Sequence, residues 1–112
     1  YGFSPVVKEY INTLNILDSY VSSLFDIIEK KRLDGEDWIC FIVSDHGGDG
    51  RGHSDSANPK INKTVFFSEH PILNFKTNYT TNQTDLAPTI LDFLGISNLE
   101  FDCETDGVSI LE

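Results

Sequence analysis

Residues 44 to 54 read SDHGGDGRGHS and place two histidines and two aspartates among four glycines. A carboxylate paired with a neutral imidazole is a ligand set that suits zinc, manganese or iron better than calcium alone. His53 follows His46 by seven residues across the glycine-rich loop, so it can fold back to the same ion or to a neighbouring one. We therefore predict a metal site with Asp45, His46 and His53 as ligands.

The position of this loop supports a site. It directly follows the apolar run 38–43, and ligands of open α/β sheets bind beyond the carboxyl ends of strands. Adjacent strand side chains point to opposite faces, so Asp45 and His46 can reach one ion only if the chain leaves the strand there. Gly47 and Gly48 would permit that departure, because glycine accepts backbone angles that other residues avoid.

Simpler interpretations of the same residues stay open. Asp-His-Gly could be a plain turn with an exposed histidine, and His53 could simply fill the loop. Arg51 could be a solvated loop charge or could hold an anionic substrate group. His70, next to Pro71, is most simply a surface loop residue.

Two phosphate-binding glycine motifs are excluded. The loop lacks the third glycine of a dinucleotide fingerprint, and no helical pattern follows it at once. A phosphate-binding loop of the Walker type would end in Lys followed by Ser or Thr, whereas this loop ends in His53-Ser54.

The elements around the loop alternate between helix and strand. Ser4 and Pro5 predict a helix start, and apolar residues three or four apart carry the helix to about Arg32, with Gly35 as its end. The run 38–43 is apolar without alternation, which is typical of a strand covered on both faces in a parallel sheet.

A second strand is predicted at 64–67, and a second helix follows Thr84, which would cap it, and ends at Gly95. This order predicts the α/β class.

Composition sets the outer limits. The 112 residues can form one domain at most, and 8 basic against 18 acidic residues give a net charge of −10. That charge excludes a broad contact with the phosphates of nucleic acid. No run approaches the roughly 18 apolar residues of a transmembrane helix. The chain opens with Tyr1 and lacks Met, so we expect it to be the C-terminal part of a longer protein; Cys40 and Cys103 leave a disulfide open.

Three motifs in order give a more specific indication. SDHGG followed closely by GH, then TDLAPTILDFLGI, then DGVSIL, resembles the C-terminal half of the alkaline phosphatase superfamily, especially its nucleotide pyrophosphatase/phosphodiesterase-like and alkaline-phosphatase-like hydrolases. The likeness covers nearly the whole chain. It implies that residues 1–112 are a single partial domain, the C-terminal part of an α/β core whose mostly parallel sheet is flanked by helices.

The resemblance also implies a reaction. Such enzymes hydrolyse small-molecule phosphate esters with two divalent ions, zinc first and manganese or magnesium as alternatives. Asp45 and His46 would hold one ion and His53 the other, with the ions about 4 Å apart. The nucleophile of the family lies far upstream, so we expect the isolated chain to be inactive and the longer protein to be a hydrolase.

Alternatives remain within and outside this superfamily. Sulfatases and phosphoethanolamine transferases share the scaffold, and a non-catalytic metal-binding or interaction fragment is the alternative of another class. Asn-x-Thr sequons at Asn62, Asn78 and Asn82, together with the resemblance, favour a secreted or membrane-tethered, extracytoplasmic protein.

Overall fold

The computed structural model describes residues 2–96 and 105–112. These residues form two compact units, Tyr1–Trp38 with His46–Lys63 (unit 1) and Ile39–Asp45 with Thr64–Glu112 (unit 2). The elements in chain order are α1 (Lys8–Leu33), β1 (Cys40–Val43), β2 (Phe66–Glu69), a 3-10 helix (Gln83–Asp85) and α2 (Leu86–Phe93).

The long helix α1 is confirmed, but its predicted start is wrong. Ser4 belongs to a separate turn, in which its carbonyl accepts the N–H of Val7 at 3.0 Å. Val7 then has extended backbone angles, φ −89° and ψ 110°, which separate that turn from the helix beginning at Lys8. A Ser-Pro pair favours a helical turn locally, and here the turn does not continue into the helix.

Both helices end as predicted, at a glycine with positive φ. Gly35 (φ 87°) donates its N–H to the carbonyl of Arg32, and the next N–H reaches that of Lys31. Gly95 (φ 69°) ends α2 by the same pair of bonds, to Asp92 and Leu91. This arrangement satisfies carbonyls that have no partner within the helix.

The sheet has two strands within the described residues, and they run antiparallel. Cys40 of β1 faces Glu69 of β2, and Val43 faces Phe66. The strand predicted at 38–43 is shorter by two residues, and its burial varies from residue to residue. A mostly parallel sheet flanked by helices therefore stays a prediction that concerns the longer protein, as does the assignment of residues 1–112 to a single partial domain.

A buried carboxylate organises unit 2. Asp85 is 1% exposed and accepts hydrogen bonds from the N–H of Asn82 (2.7 Å), the N–H of Val108 (2.9 Å) and the hydroxyl of Tyr79 (3.2 Å). Burial raises the pKa of this carboxyl, and the hydrogen bonds from these three donors outweigh that effect and lower it. The prediction that Thr84 caps α2 is wrong, because Asp85 is the N-cap residue of this helix.

The buried hydroxyl of Thr89 extends the same network. It donates to the carbonyl of Asp85 at 2.5 Å and accepts the N–H of Ile110 at 3.1 Å. Gly107 packs so closely that a Cβ there would lie 2.2 Å from the carbonyl oxygen of Thr84. The motifs TDLAPT and DGVSI, more than 15 residues apart in sequence, are therefore two sides of one packed junction.

Two findings complete the fold. Cys40 is buried, whereas Cys103, its candidate partner in a disulfide, lies outside the described residues. In the part of the chain that the structure describes, neither helix is long and apolar enough to cross a membrane.

We predict that Asp85→Asn destabilises the protein, because an amide cannot accept all three hydrogen bonds and presents its own donors to backbone N–H groups. The expected loss is about 2–3 kcal/mol in the free energy of unfolding, measured by urea denaturation. The control Asp26→Asn, at an exposed position of α1, should change it by less than about 0.5 kcal/mol.

The difference between wild type and Asp85→Asn should also depend on pH. The pKa of Asp85 is lower in the folded state, so its contribution is complete above the ordinary aspartate value of about 3.9 and declines as the pH falls below it. A difference that stays constant from pH 7 to pH 3 would contradict this role.

Candidate metal centre

The glycine-rich loop contains a tight turn at residues 49–52. The N–H and carbonyl groups of Asp49 and Gly52 bond reciprocally, at 3.0 and 2.9 Å. Gly50 has φ 57° at the first central position, and a residue with a side chain is strained there. The carbonyl of Gly50 accepts the N–H of Phe3 at 2.8 Å, which ties the turn to the segment before α1.

The carboxylate of Asp49 stabilises this turn. It accepts hydrogen bonds from Asn58 at 3.1 Å and from Lys60 at 3.0 Å. The hydrogen bond from Asn58, followed by that from Lys60, lowers the pKa of Asp49. Asp49 therefore connects the tight turn to the segment that contains Asn58 and Lys60.

The paired glycines act by steric fit rather than by unusual backbone angles. Neither Gly47 nor Gly48 has positive φ, so the expectation from sequence gave the wrong reason for them. A Cβ on Gly47 would lie 2.2 Å from the carbonyl oxygen of Lys60, and one on Gly48 would lie 2.4 Å from the ring of Phe3. The loop folds back upon itself here, and the N–H of Gly47 bonds to the carbonyl of Ile61 at 2.7 Å.

This folding brings His46 and His53 together. Their rings stack with centroids 5.0 Å apart and planes only 6° from parallel, and the ring of Phe3 meets His53 edge-on at 6.3 Å. The Nδ1 atom of His46 lies 2.7 Å from the carbonyl oxygen of Gly47. A carbonyl only accepts, so Nδ1 carries the proton and the imidazole lone pair is at Nε2. Metal-binding histidines are commonly oriented by such a bond.

The parallel rings restrict how a metal can bind. An imidazole coordinates along its nitrogen lone pair, which lies in the plane of the ring. Two nearly parallel, separated planes do not meet near the rings, so His46 and His53 in this arrangement cannot hold one ion together. Binding of the two rings to different ions, as the resemblance implies, stays a prediction.

Asp45 lies in unit 2, as the residue after Ser44 at the end of β1, and it is exposed. Ser44 is fixed by two bonds to Val65: its N–H donates to the Val65 carbonyl at 3.0 Å, and its hydroxyl accepts the Val65 N–H at 2.8 Å. The side-chain amide of Gln83 binds the carbonyls of both Ser44 and Asp45. The backbone that carries Asp45 is thus held from two sides.

The described residues contain no complete metal centre. Among residues 2–96 and 105–112, no three His, Cys, Asp or Glu side chains are grouped closely enough to enclose an ion. Imidazole is a common ligand of divalent metals, so His46 and His53 are chemically suited to such a role, and the ligand set of Asp45, His46 and His53 stays a prediction.

Arg51 lies at the second central position of the tight turn and is exposed. It lines a cleft of about 580 Å³ in unit 1, together with the aromatic rings of Phe3 and Tyr10 and the carboxylate of Glu9. The cleft has one cation and one carboxylate in its lining, and a role of Arg51 in substrate binding stays a prediction.

His70 has a structural role that the sequence did not indicate. Its Nδ1 accepts the backbone N–H groups of Ile72 at 3.1 Å and Leu73 at 3.0 Å, and its ring packs on Phe93 with centroids 5.8 Å apart. His70 is a partly exposed loop residue, as predicted, and it also shapes the turn that follows β2.

Gln83 contacts the candidate ligand Asp45, which the sequence did not indicate. It is 38 residues from Asp45 along the chain, and no periodicity or spacing connects the two. Its position could have indicated such a contact. Gln83 stands directly before TDLAPT, at a helix start, where a polar side chain can bond to a neighbouring segment.

Comparisons with known proteins show a distant similarity to a group of enzymes. The chain is 29% identical over 99 residues to 2,3-bisphosphoglycerate-independent phosphoglycerate mutases of Mesomycoplasma hyopneumoniae strains 7448, J and 232. The match covers 85% of this chain and 18% of each mutase, so the chain spans less than a fifth of their length. No known family profile matches the chain, and no solved structure matches it.

The extent of the match matters for the site. A span that covers 85% of 112 residues must contain the loop 44–54 and the segment 83–93. Mutases of this type belong to the alkaline phosphatase superfamily, which is the superfamily that the motifs resemble. The chain is thus distantly similar to an enzyme that moves a phosphoryl group.

We predict that Gly47→Ala disrupts the loop, whereas Gly52→Ala is tolerated. The new methyl group at position 47 would collide with a backbone carbonyl, but at position 52 its nearest contact is an ordinary 3.8 Å to Asp49. Urea denaturation should show a loss of about 1–3 kcal/mol for Gly47→Ala and less than about 1 kcal/mol for Gly52→Ala. Equal losses would contradict the steric role of Gly47.

Proposed function

We propose that this chain is part of a longer protein, here called the parent, that hydrolyses small-molecule phosphate esters with the help of divalent metal ions. The observation that carries the proposal is the distant similarity to phosphoglycerate mutases, which extends through the loop 44–54. The pairing of His46 with His53 in that loop supports the metal dependence.

In this proposal the loop supplies ligands to two ions. Asp45 and His46 bind one ion, His46 through Nε2 because the carbonyl of Gly47 engages Nδ1. His53 binds the second ion through its own ring plane. Zinc is the first candidate for both, with manganese or magnesium as alternatives, because carboxylate and imidazole ligands suit these metals.

The bound ions would polarise the phosphoryl group and neutralise charge that develops during its transfer. The residues of this chain act around that centre. Gly47 and Gly48 let the loop fold so closely that the two imidazoles stack. Arg51 would pair with an anionic group of the substrate. The nucleophile is expected outside residues 1–112, so the chain by itself should be inactive.

A phosphomutase is the second candidate, and the same similarity favours it. A mutase returns the phosphoryl group to another hydroxyl of the substrate, whereas a hydrolase transfers it to water. The two are distinguished by incubating the parent with phosphoglycerate and with simple phosphate esters: inorganic phosphate is the product of the hydrolase, and a positional isomer that of the mutase. A sulfate ester in parallel tests the sulfatase alternative.

The first prediction of the proposal is dependence on metal. Dialysis of the parent against a strong chelator should abolish its action on phosphate esters, because metal-free ligands cannot neutralise the phosphoryl charge. Addition of zinc or manganese should restore it, and magnesium is tested alongside. Full turnover with a verified absence of metal would refute the proposal.

The second prediction separates metal ligands from scaffold. His46→Ala and His53→Ala should each remove about one metal ion per protein and lower the rate by orders of magnitude. The matched control is His70→Asn, because the amide oxygen can still accept the N–H groups that His70 binds. Metal content is measured on the purified variants with their circular dichroism. A His46→Ala variant with its full metal content would show that the ligand assignment is wrong.

We further propose that the parent is extracytoplasmic, on the basis of the sequons at Asn62, Asn78 and Asn82 and of the superfamily resemblance. All three asparagines are exposed in the structure. Treatment of the protein from its native source with an enzyme that removes N-linked glycans should increase its electrophoretic mobility, and an unchanged mobility would count against glycosylation.

A further inference from the structure

Gln83 binds the end of β1 from a distant part of the sequence. Its Nε2 lies 2.5 Å from the carbonyl oxygen of Ser44 and 2.8 Å from that of Asp45. All three residues belong to unit 2. The amide has two hydrogens on this nitrogen, and each can be donated to one carbonyl.

The orientation of the amide follows from its partners. Both partners are carbonyl oxygens, which only accept, so the nitrogen rather than the oxygen of the Gln83 amide must face them. In a regular strand, consecutive carbonyls point in opposite directions. Here the carbonyls of Ser44 and Asp45 converge on one atom, so the chain has already left strand geometry at these residues, and Gln83 holds it in that conformation.

Gln83 is itself fixed in place. It is the first residue of the 3-10 helix that continues into α2, and the buried carboxylate of Asp85 ties that helix start to the N–H groups of Asn82 and Val108. A side chain on such a rigid support can restrict the backbone that it binds, even though Gln83 is exposed.

We infer that Gln83 is a positioning residue, which sets the backbone of Asp45 and thereby the metal affinity of the site to which Asp45 contributes. The inference rests on the proposed function, since it takes Asp45 as a metal ligand. Gln83 does not touch the ion. It acts by reducing the freedom of the carboxylate-bearing residue before the ion binds, and loss of such supporting contacts typically lowers metal affinity by about 10- to 100-fold.

The test uses three variants of the parent. Gln83→Met keeps the size of the side chain and removes both donors, so it should weaken binding of zinc and manganese about tenfold or more. Gln83→Lys retains donors that can reach carbonyl oxygens, so it should keep most of the affinity. Asn12→Met makes the same kind of change, from an amide to a thioether, at an exposed position of α1 and should leave the affinity at the wild-type value.

Affinity is measured by titrating the metal-free proteins with zinc or manganese against a competing chelator dye, and the thermal midpoint of each metal-free protein is recorded. A positioning role predicts a lower affinity of Gln83→Met at a nearly unchanged midpoint, with recovery in Gln83→Lys. Wild-type affinity in Gln83→Met, or an equal loss of affinity in all three variants, would overturn the inference.

Asp45→Asn separates this inference from the proposed function. If Asp45→Asn loses one ion while Gln83→Met binds metal like wild type, the proposed ligand stands and only the role of Gln83 falls. If Asp45→Asn keeps its full metal content, the proposed ligand set is wrong, and the role of Gln83 in metal binding falls with it.

Discussion

The buried carboxylate of Asp85 is the constraint on which unit 2 depends. It receives donors from the loop before the helix (Tyr79 and Asn82) and from the C-terminal segment (Val108). A buried charge is costly unless its hydrogen bonds are satisfied, so Asp85 favours the arrangement in which both segments pack against the start of α2. Thr89, which has no exposed surface, makes a second buried connection one helical turn later. Its hydroxyl links the carbonyl of Asp85 to the N–H of Ile110.

Within unit 2, this polar junction is connected to the backbone of Asp45 through the start of α2. Asp85 fixes the 3-10 helix, and Gln83 on that helix binds the carbonyls of Ser44 and Asp45. In unit 1, close packing at two glycines shapes the loop. Gly47 and Gly48 make contacts so close that no Cβ fits, and His46 stacks on His53 in the same loop.

The charge of the chain bears on the proposed chemistry. A net charge of −10 attracts divalent cations and repels a phosphate ester. A substrate of this kind therefore needs local positive charge, which bound ions and Arg51 would supply. Asp49, in contrast, is paired with Lys60 and hydrogen-bonded to Asn58, which makes it part of the scaffold.

The sequence by itself determined the local structure. Apolar residues three or four apart predicted both helices, and the glycines at positions 35 and 95 predicted their ends. The apolar run before the loop predicted the first strand. The sequence could show these features because they depend on neighbours along the chain. It also indicated Asp45 and His46 as ligands of one metal ion and His53 as a ligand of the same or a neighbouring ion, and this ligand set stays a prediction. It misplaced the start of α1, because Ser4 and Val7 satisfy each other in a separate turn.

Only the tertiary structure decided which distant groups meet. Four contacts join residues that have no fixed spacing in sequence. They are the antiparallel pairing of β1 with β2, the hydrogen bond from Val108 to the Asp85 carboxylate, the bond from Gln83 to Asp45, and the close loop contacts of Gly47. Tertiary structure also packs the ring of His70 on that of Phe93. A polar side chain has many partners of equal chemistry along a chain, and packing selects the one that it binds.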